Sequence, residues 1–178
     1  MHESSATTSD LNFIIQQGLA VPRSPTCRVL TSALLFQSRI VGLTVIAGML
    51  VQSPHVFAIL GLVLWWSALL PRLNPFDALH NATLGARPGA PRLGPAPAPR
   101  RFAQGMAGSF ALAITLALTG GTRGAAHVLE ALFLAAVAAL AVFRFCLGSF
   151  IFHLLRGRAE FALRTLPWGR GNEEQGKG

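Results

Sequence analysis

The sequence predicts an all-α integral membrane protein: a four-helix bundle of two transmembrane hairpins with short interfacial helices. Three observations carry this. Of the 178 residues 52% are hydrophobic and 12% charged, and mean hydropathy is +0.49. A water-soluble domain carries roughly 25% charged residues, so this chain has too few to cover a surface in water. The apolar residues fall into four long runs, and the cationic residues, 14 arginines and one lysine, collect in the segments between and after them. The net charge of +8 therefore reads as anionic lipid on one side of a membrane. Nucleic-acid binding is set aside, since there is no basic helix face and no aromatic stacking platform.

Residues 1–28 are polar and read as a loosely ordered tail, interrupted by the short apolar island Leu11 to Ile15. Pro22 and Pro25 prevent a long helix there. No basic n-region or cleavage site marks a signal peptide. The membrane domain is expected over 29–155. Its first span is placed at about 31–52, where Arg39 lies one to two turns inside and snorkels back to the headgroups. Ser53-Pro54 is a helix start, with serine as cap and proline at the first position. The second span, about 54–70, carries Trp65 and Trp66 near its end, where interfacial aromatics belong. The two-residue join implies a tight antiparallel hairpin.

Asn74-Pro75-Phe76-Asp77 starts a short helix to about Leu84, expected to lie on the membrane surface. Residues 85–99 are rich in Gly, Ala, Pro and Arg and read as an extended spacer, so 71–100 forms a linker. The third span, about 101–119, is rich in small residues that allow close helix approach, among them Gly105, Gly108 and Ser109. The fourth apolar run, from about 125 to 155, is too long for one span (placed at about 125–150) and is expected to tilt, break near Gly148 or run on. Its Ala131, Ala135 and Ala139 share one small face. Residues 156–178 are a basic tail, with a surface helix around Phe161 to Leu166 and Trp168 as an interfacial anchor. Arginines fill the linker and both tails while the short joins carry almost none. The positive-inside rule then puts both termini and the linker in the cytoplasm of a multi-pass protein. The two hairpins are also weakly alike: Phe36-Gln37 opens one and Phe102-Ala103-Gln104 the other, and each ends in a similar Arg-to-Phe segment, 72–76 and 144–150.

This topology gathers Gln37, Arg39, Asn74, Asp77, Gln104, Arg144, Cys146, Ser149 and His153 toward the cytoplasmic end of the bundle. Snorkelling arginines and helix-bridging amides account for such a set. A polar pocket is the sharper account, with Arg39 and Arg144 holding an anion or activating Cys146. Cys146 is the one candidate thiol; Cys27 and Cys146 are too far apart in sequence and setting to suggest a disulfide framework or a metal site. No cofactor is expected, and no phosphate loop, zinc helix or serine elbow is present. His127 and Glu130, three apart with Arg123 one turn back, read as an interfacial pair at the opposite mouth.

The segments 73–81, 96–106 and Arg144-Phe-Cys-Leu-Gly-Ser149 resemble a bacterial family of small membrane proteins, domain-of-unknown-function family 4395. The resemblance implies an integral four-helix membrane protein with no assigned activity; the expected location is the bacterial inner membrane. It also implies a second cysteine where this chain has Ser149, which leaves at most a single-thiol role for Cys146. The functional expectation is a non-enzymatic structural or accessory module in contact with the bilayer and anionic headgroups, self-associating or serving a membrane partner. A thiol- or sulfur-handling accessory and a small anion transporter are the alternatives.

Overall fold

The computed structural model describes residues 7–20, 26–87 and 90–167, all of them helix, turn or irregular chain with no strand. Pro22, Pro25 and Trp168 lie outside the described residues. Helix α1 is Thr8–Gln16, α2 is Thr26–Val51 and α3 is Pro54–Leu69. Helix α4 is Pro75–Ala82, α5 is Ala98–Thr119 and α6 is Arg123–Phe143. Two short helices, α7 (Leu147–Leu155) and α8 (Ala159–Arg164), complete the order.

Among the described residues three helices are long and apolar enough to cross a membrane, over Cys27–Val51, Ala98–Thr119 and Arg123–Phe143. The second expected span is shorter. At 16 residues, α3 rises about 24 Å, less than the ~30 Å of a hydrocarbon core. Most exposed positions on these helices are apolar, including Leu43, Leu50, Ile59, Leu62, Leu116, Val128 and Val142. In water such faces would carry charge.

The bundle exchanges partners between its halves. α3 packs along α5, and α2 packs along α6. The tight hairpin expected of α2 and α3 is thus limited mainly to its turn, where Gly48 sits against Phe57. A Cβ on Gly61 would fall 3.1 Å from the Gly108 carbonyl oxygen, and one on Gly108 would fall 3.1 Å from that of Gly61. Glycines are what let α3 and α5 approach so closely. The core around them holds Val45, Phe57, Leu64, Ala111, Ile114 and Phe133.

Several boundaries and faces differ from the sequence reading. The loosely ordered tail contains α1, because Thr7 and Asp10 close a capping box and the buried Phe13 and Ile14 pack beside α2. α2 starts five residues before the expected span. Ser53 holds the cap position of α3 but makes no capping bond, whereas Asn74 does cap α4, accepting from the Phe76 amide at 3.0 Å. α4 turns its polar side inward: Asp77 and His80 are buried and Leu79 is exposed. The spacer is pinned, with Asn81 donating to the Leu93 carbonyl at 2.9 Å and accepting from its amide at 2.8 Å.

The fourth run breaks near Gly148, as expected, over 144–146, where Arg144 takes a left-handed φ of 53° and ψ of 36°. Gly148 itself is where α7 meets α5, since a Cβ there would stand 2.6 Å from the Ala103 Cα. Ala131 and Ala135, expected to pack inside, face outward; Ala126, Glu130 and Phe133 form the buried side of α6.

Candidate functional site

One end of the bundle holds a dense polar joint, built from the start of α5, the middle of α2, and α1, α4 and α7. Its first part centres on Arg100 in the opening turn of α5. Arg100 donates to Asp77 through Nη2 to Oδ1 at 2.5 Å and through Nη1 to Oδ2 at 3.2 Å. Nη2 also donates to Gln37 Oε1 at 3.0 Å, and Gln104 Nε2 donates to the same oxygen at 2.8 Å. Asn74 Nδ2 completes the Asp77 carboxylate at 2.9 Å. Arg100 and Asp77 are each only 6% exposed. Burying two charges is costly unless they are paired and their remaining positions are bonded, as they are here. Neighbouring Arg101 donates through Nε to the Ala68 carbonyl at 2.7 Å, which satisfies the C-terminal turn of α3.

The second part surrounds the break between α6 and α7. The left-handed turn leaves Arg144 Nε 2.7 Å from Asp10 Oδ1, an ion pair whose N–H is not aimed along the line to the oxygen. The Cys146 amide donates to Gln16 Oε1 at 2.9 Å. His153 Nε2 stands 3.1 Å from the Gln16 carbonyl oxygen, an acceptor only, so Nε2 carries the ring proton. α1 therefore supplies the groups that the broken helix lacks. Ser149 is fully buried and its hydroxyl has no partner, and His153 Nδ1 and Gln16 Nε2 likewise have none.

Between the two parts lies a cavity of about 230 Å³. Gln17, Gln37, Arg100, Gln104 and Cys146 line one side; Val41, Leu64, Phe110, Phe133 and Leu140 are among the apolar lining residues.

Gln37, Asp77 and Gln104 are thus joined directly, and Arg144, Cys146 and His153 meet through α1, with Ser149 buried on the same short helix. Arg39 stands apart, exposed on α2. Two residues along a helix is a turn of about 200°, so with Gln37 facing the joint Arg39 faces away. The expected meeting of Arg39 with Arg144 does not occur, because Arg144 is held by Asp10. Sequence reasoning missed Arg100, counted only as a linker charge, and missed Asp10 and Gln16. The Thr7–Asp10 capping spacing was the legible signal for α1; nothing local marks partners 130 or more residues away.

At the other mouth, Glu130 is 0% exposed. Gln52 Nε2 donates to both its oxygens at 3.2 Å, and His127 Nδ1 lies 3.1 Å from Oε2. Gln52 adopts a left-handed φ of 48° at the turn to make this contact. Arg123 is exposed and outside the group. Both cysteines are free and buried, and among the described residues no three His, Cys, Asp or Glu side chains stand together to hold a metal.

Apolar helices of membrane-crossing length around an internally paired polar joint suggest the class of small helical membrane proteins. The chain belongs to the domain-of-unknown-function family DUF4395, whose family model matches residues 31–157, well over half its length. No curated protein and no solved structure matches it. The family's match starts within α2, so α1, with Asp10 and Gln16, lies outside it.

Proposed function

We infer that the protein is a multi-pass protein of the bacterial inner membrane, acting as a non-enzymatic accessory module. Its arginine-rich end, with the 71–100 linker and both chain ends, faces the cytoplasm. The observation that carries this reading is the mutual neutralisation of charge at that end, Arg100 by Asp77 and Arg144 by Asp10. The buried charges there serve to hold helices together. The exposed arginines Arg39, Arg72, Arg87, Arg92, Arg156 and Arg158 remain for anionic headgroups, and their side sets the orientation. The module self-associates or serves a membrane partner, for which the outward small face at Ala131 and Ala135 leaves room.

Two measurements test this. Cytoplasm-active reporters fused at either end and in the linker give signal, and periplasm-active ones do not; the reverse at either end overturns the orientation. In cells lacking the chromosomal copy, Cys146→Ala restores the wild-type phenotype. Loss of function with normal insertion replaces the accessory reading by the thiol-handling one, which the position of Cys146 in a cavity wall favours. The anion-transport reading has less support, since Arg144 is already paired and Arg39 faces outward.

A further inference from the structure

The cavity between the two halves of the joint has features that the accessory reading does not use. Gln37 Oε1 accepts from Arg100, so it is an oxygen and not an amide nitrogen. Gln104 must therefore present its Nε2 to Gln37, as it does at 2.8 Å. That fixes the other end of the Gln104 amide as a carbonyl. This oxygen is buried and has no hydrogen-bond partner, on a wall residue that is 4% exposed. An unpaired buried acceptor is costly, and a donor that reaches it is favoured accordingly.

The charges beside it cancel. Arg100 is paired with Asp77 and bonded to Gln37, so this side of the cavity offers hydrogen bonding with little net charge. The rest of the lining is mostly aliphatic and aromatic. Leu132 and Leu147 belong to it and are 55% and 40% exposed on the outer surface. The cavity thus reaches the apolar exterior. Its volume of about 230 Å³ equals some seven or eight water-sized groups at ~30 Å³ each.

We propose that this cavity binds a lipid-soluble, uncharged molecule with a single apolar chain and a hydrogen-bond donor at its head, such as a hydroxyl. The molecule enters from the bilayer past Leu132 and Leu147. Its chain lies among Val41, Phe110, Phe133 and Leu140, and its head donates to Gln104 Oε1. Cys146 borders the same space without being needed for binding.

The test uses the full chain purified in detergent, with a diazirine-bearing decanol as photoprobe and peptide mapping of the adducts. Labelling concentrates on lining residues such as Met106 and Leu147. Decanol displaces the probe about tenfold more effectively than decane, as one buried hydrogen bond allows, and more effectively than decanoate. Gln104→Leu abolishes the preference for decanol over decane. Ala136→Phe, which fills the cavity from α6 without touching the polar bonds, abolishes site labelling. Should either variant fail to fold, competition on the wild-type protein decides alone. Labelling spread evenly over the exposed helix faces, or decane or decanoate competing as well as decanol, overturns the proposal. The readout is binding to isolated protein, so its failure leaves the orientation and accessory reading untouched, and their failure leaves it standing.

Discussion

Replacing Arg100 by methionine removes three hydrogen bonds at once, two to Asp77 and one to Gln37. Methionine fills similar space, so lost packing is a minor part of the effect. What remains is the Asp77 carboxylate, buried and assisted only by Asn74. Orphaning one member of a buried pair costs about 3–5 kcal/mol. For a chain of this size each kcal/mol shifts Tm by about 2–4 °C, so Arg100→Met lowers the midpoint by roughly 6–20 °C. Asp77→Leu has a loss of the same order, because it strands the guanidinium. The double variant Arg100→Met/Asp77→Leu recovers most of the loss, since apolar replacement of both partners is close to neutral. Thermal unfolding in one detergent, with exposed Arg72→Met as control, measures all four proteins. If Arg100→Met behaves like the control, or the double variant loses the sum of the singles, the pair does not hold α4 to α5 and the description of the joint is wrong.

Three further outcomes follow from the same geometry. Gly148→Ala drives a methyl group into the Ala103 backbone, so α7 must move off α5; about 1–3 kcal/mol of stability is lost, seen as a lower Tm and faster proteolysis after residue 143. Gln16→Ala strips the Cys146 amide of its acceptor, costing about 1–3 kcal/mol, and a membrane-permeant maleimide then labels Cys146 faster than in the wild type while Cys27 labelling is unchanged. Glu130→Ala leaves Gln52 Nε2 with the Met49 carbonyl alone and lowers stability by about 1–3 kcal/mol, while Glu130→Gln, which keeps an acceptor, costs under about 1 kcal/mol; Tm separates them.

How much of this was legible in the sequence varied with the range of the interaction. Apolar runs and their punctuation placed α3, α4 and α8 within a few residues, because proline, asparagine and hydropathy act locally. Asn74 was readable as a cap since its partner is two residues away. The gathering of Gln37, Asp77 and Gln104 at one end followed from topology. Their central partner did not: Arg100 looks like any linker arginine until α5 is seen to start at Ala98 and carry it inward. The inward turn of Asp77 and His80 was hidden for the same reason. Amphipathicity predicts which face meets lipid, but an arginine from another helix reverses the choice. The break expected near Gly148 falls at 144–146, but its signal was misread: glycine signals freedom, while here it signals proximity and an arginine takes the left-handed turn.

The crossed pairing of α2 with α6 and α3 with α5 bears on how the chain is made. On the proposed reading of a multi-pass protein inserted as it is made, the main packing surface of α3 has not yet been synthesised when α3 emerges, and neither has that of α2. On that reading the early helices wait, with Gly61 and Gln37 unpacked, until residues beyond 98 arrive. The proline-bearing segment between them has to be long enough for that late docking. Shortening it is then a fault of biogenesis first, visible as degradation of new chains even when mature protein is stable.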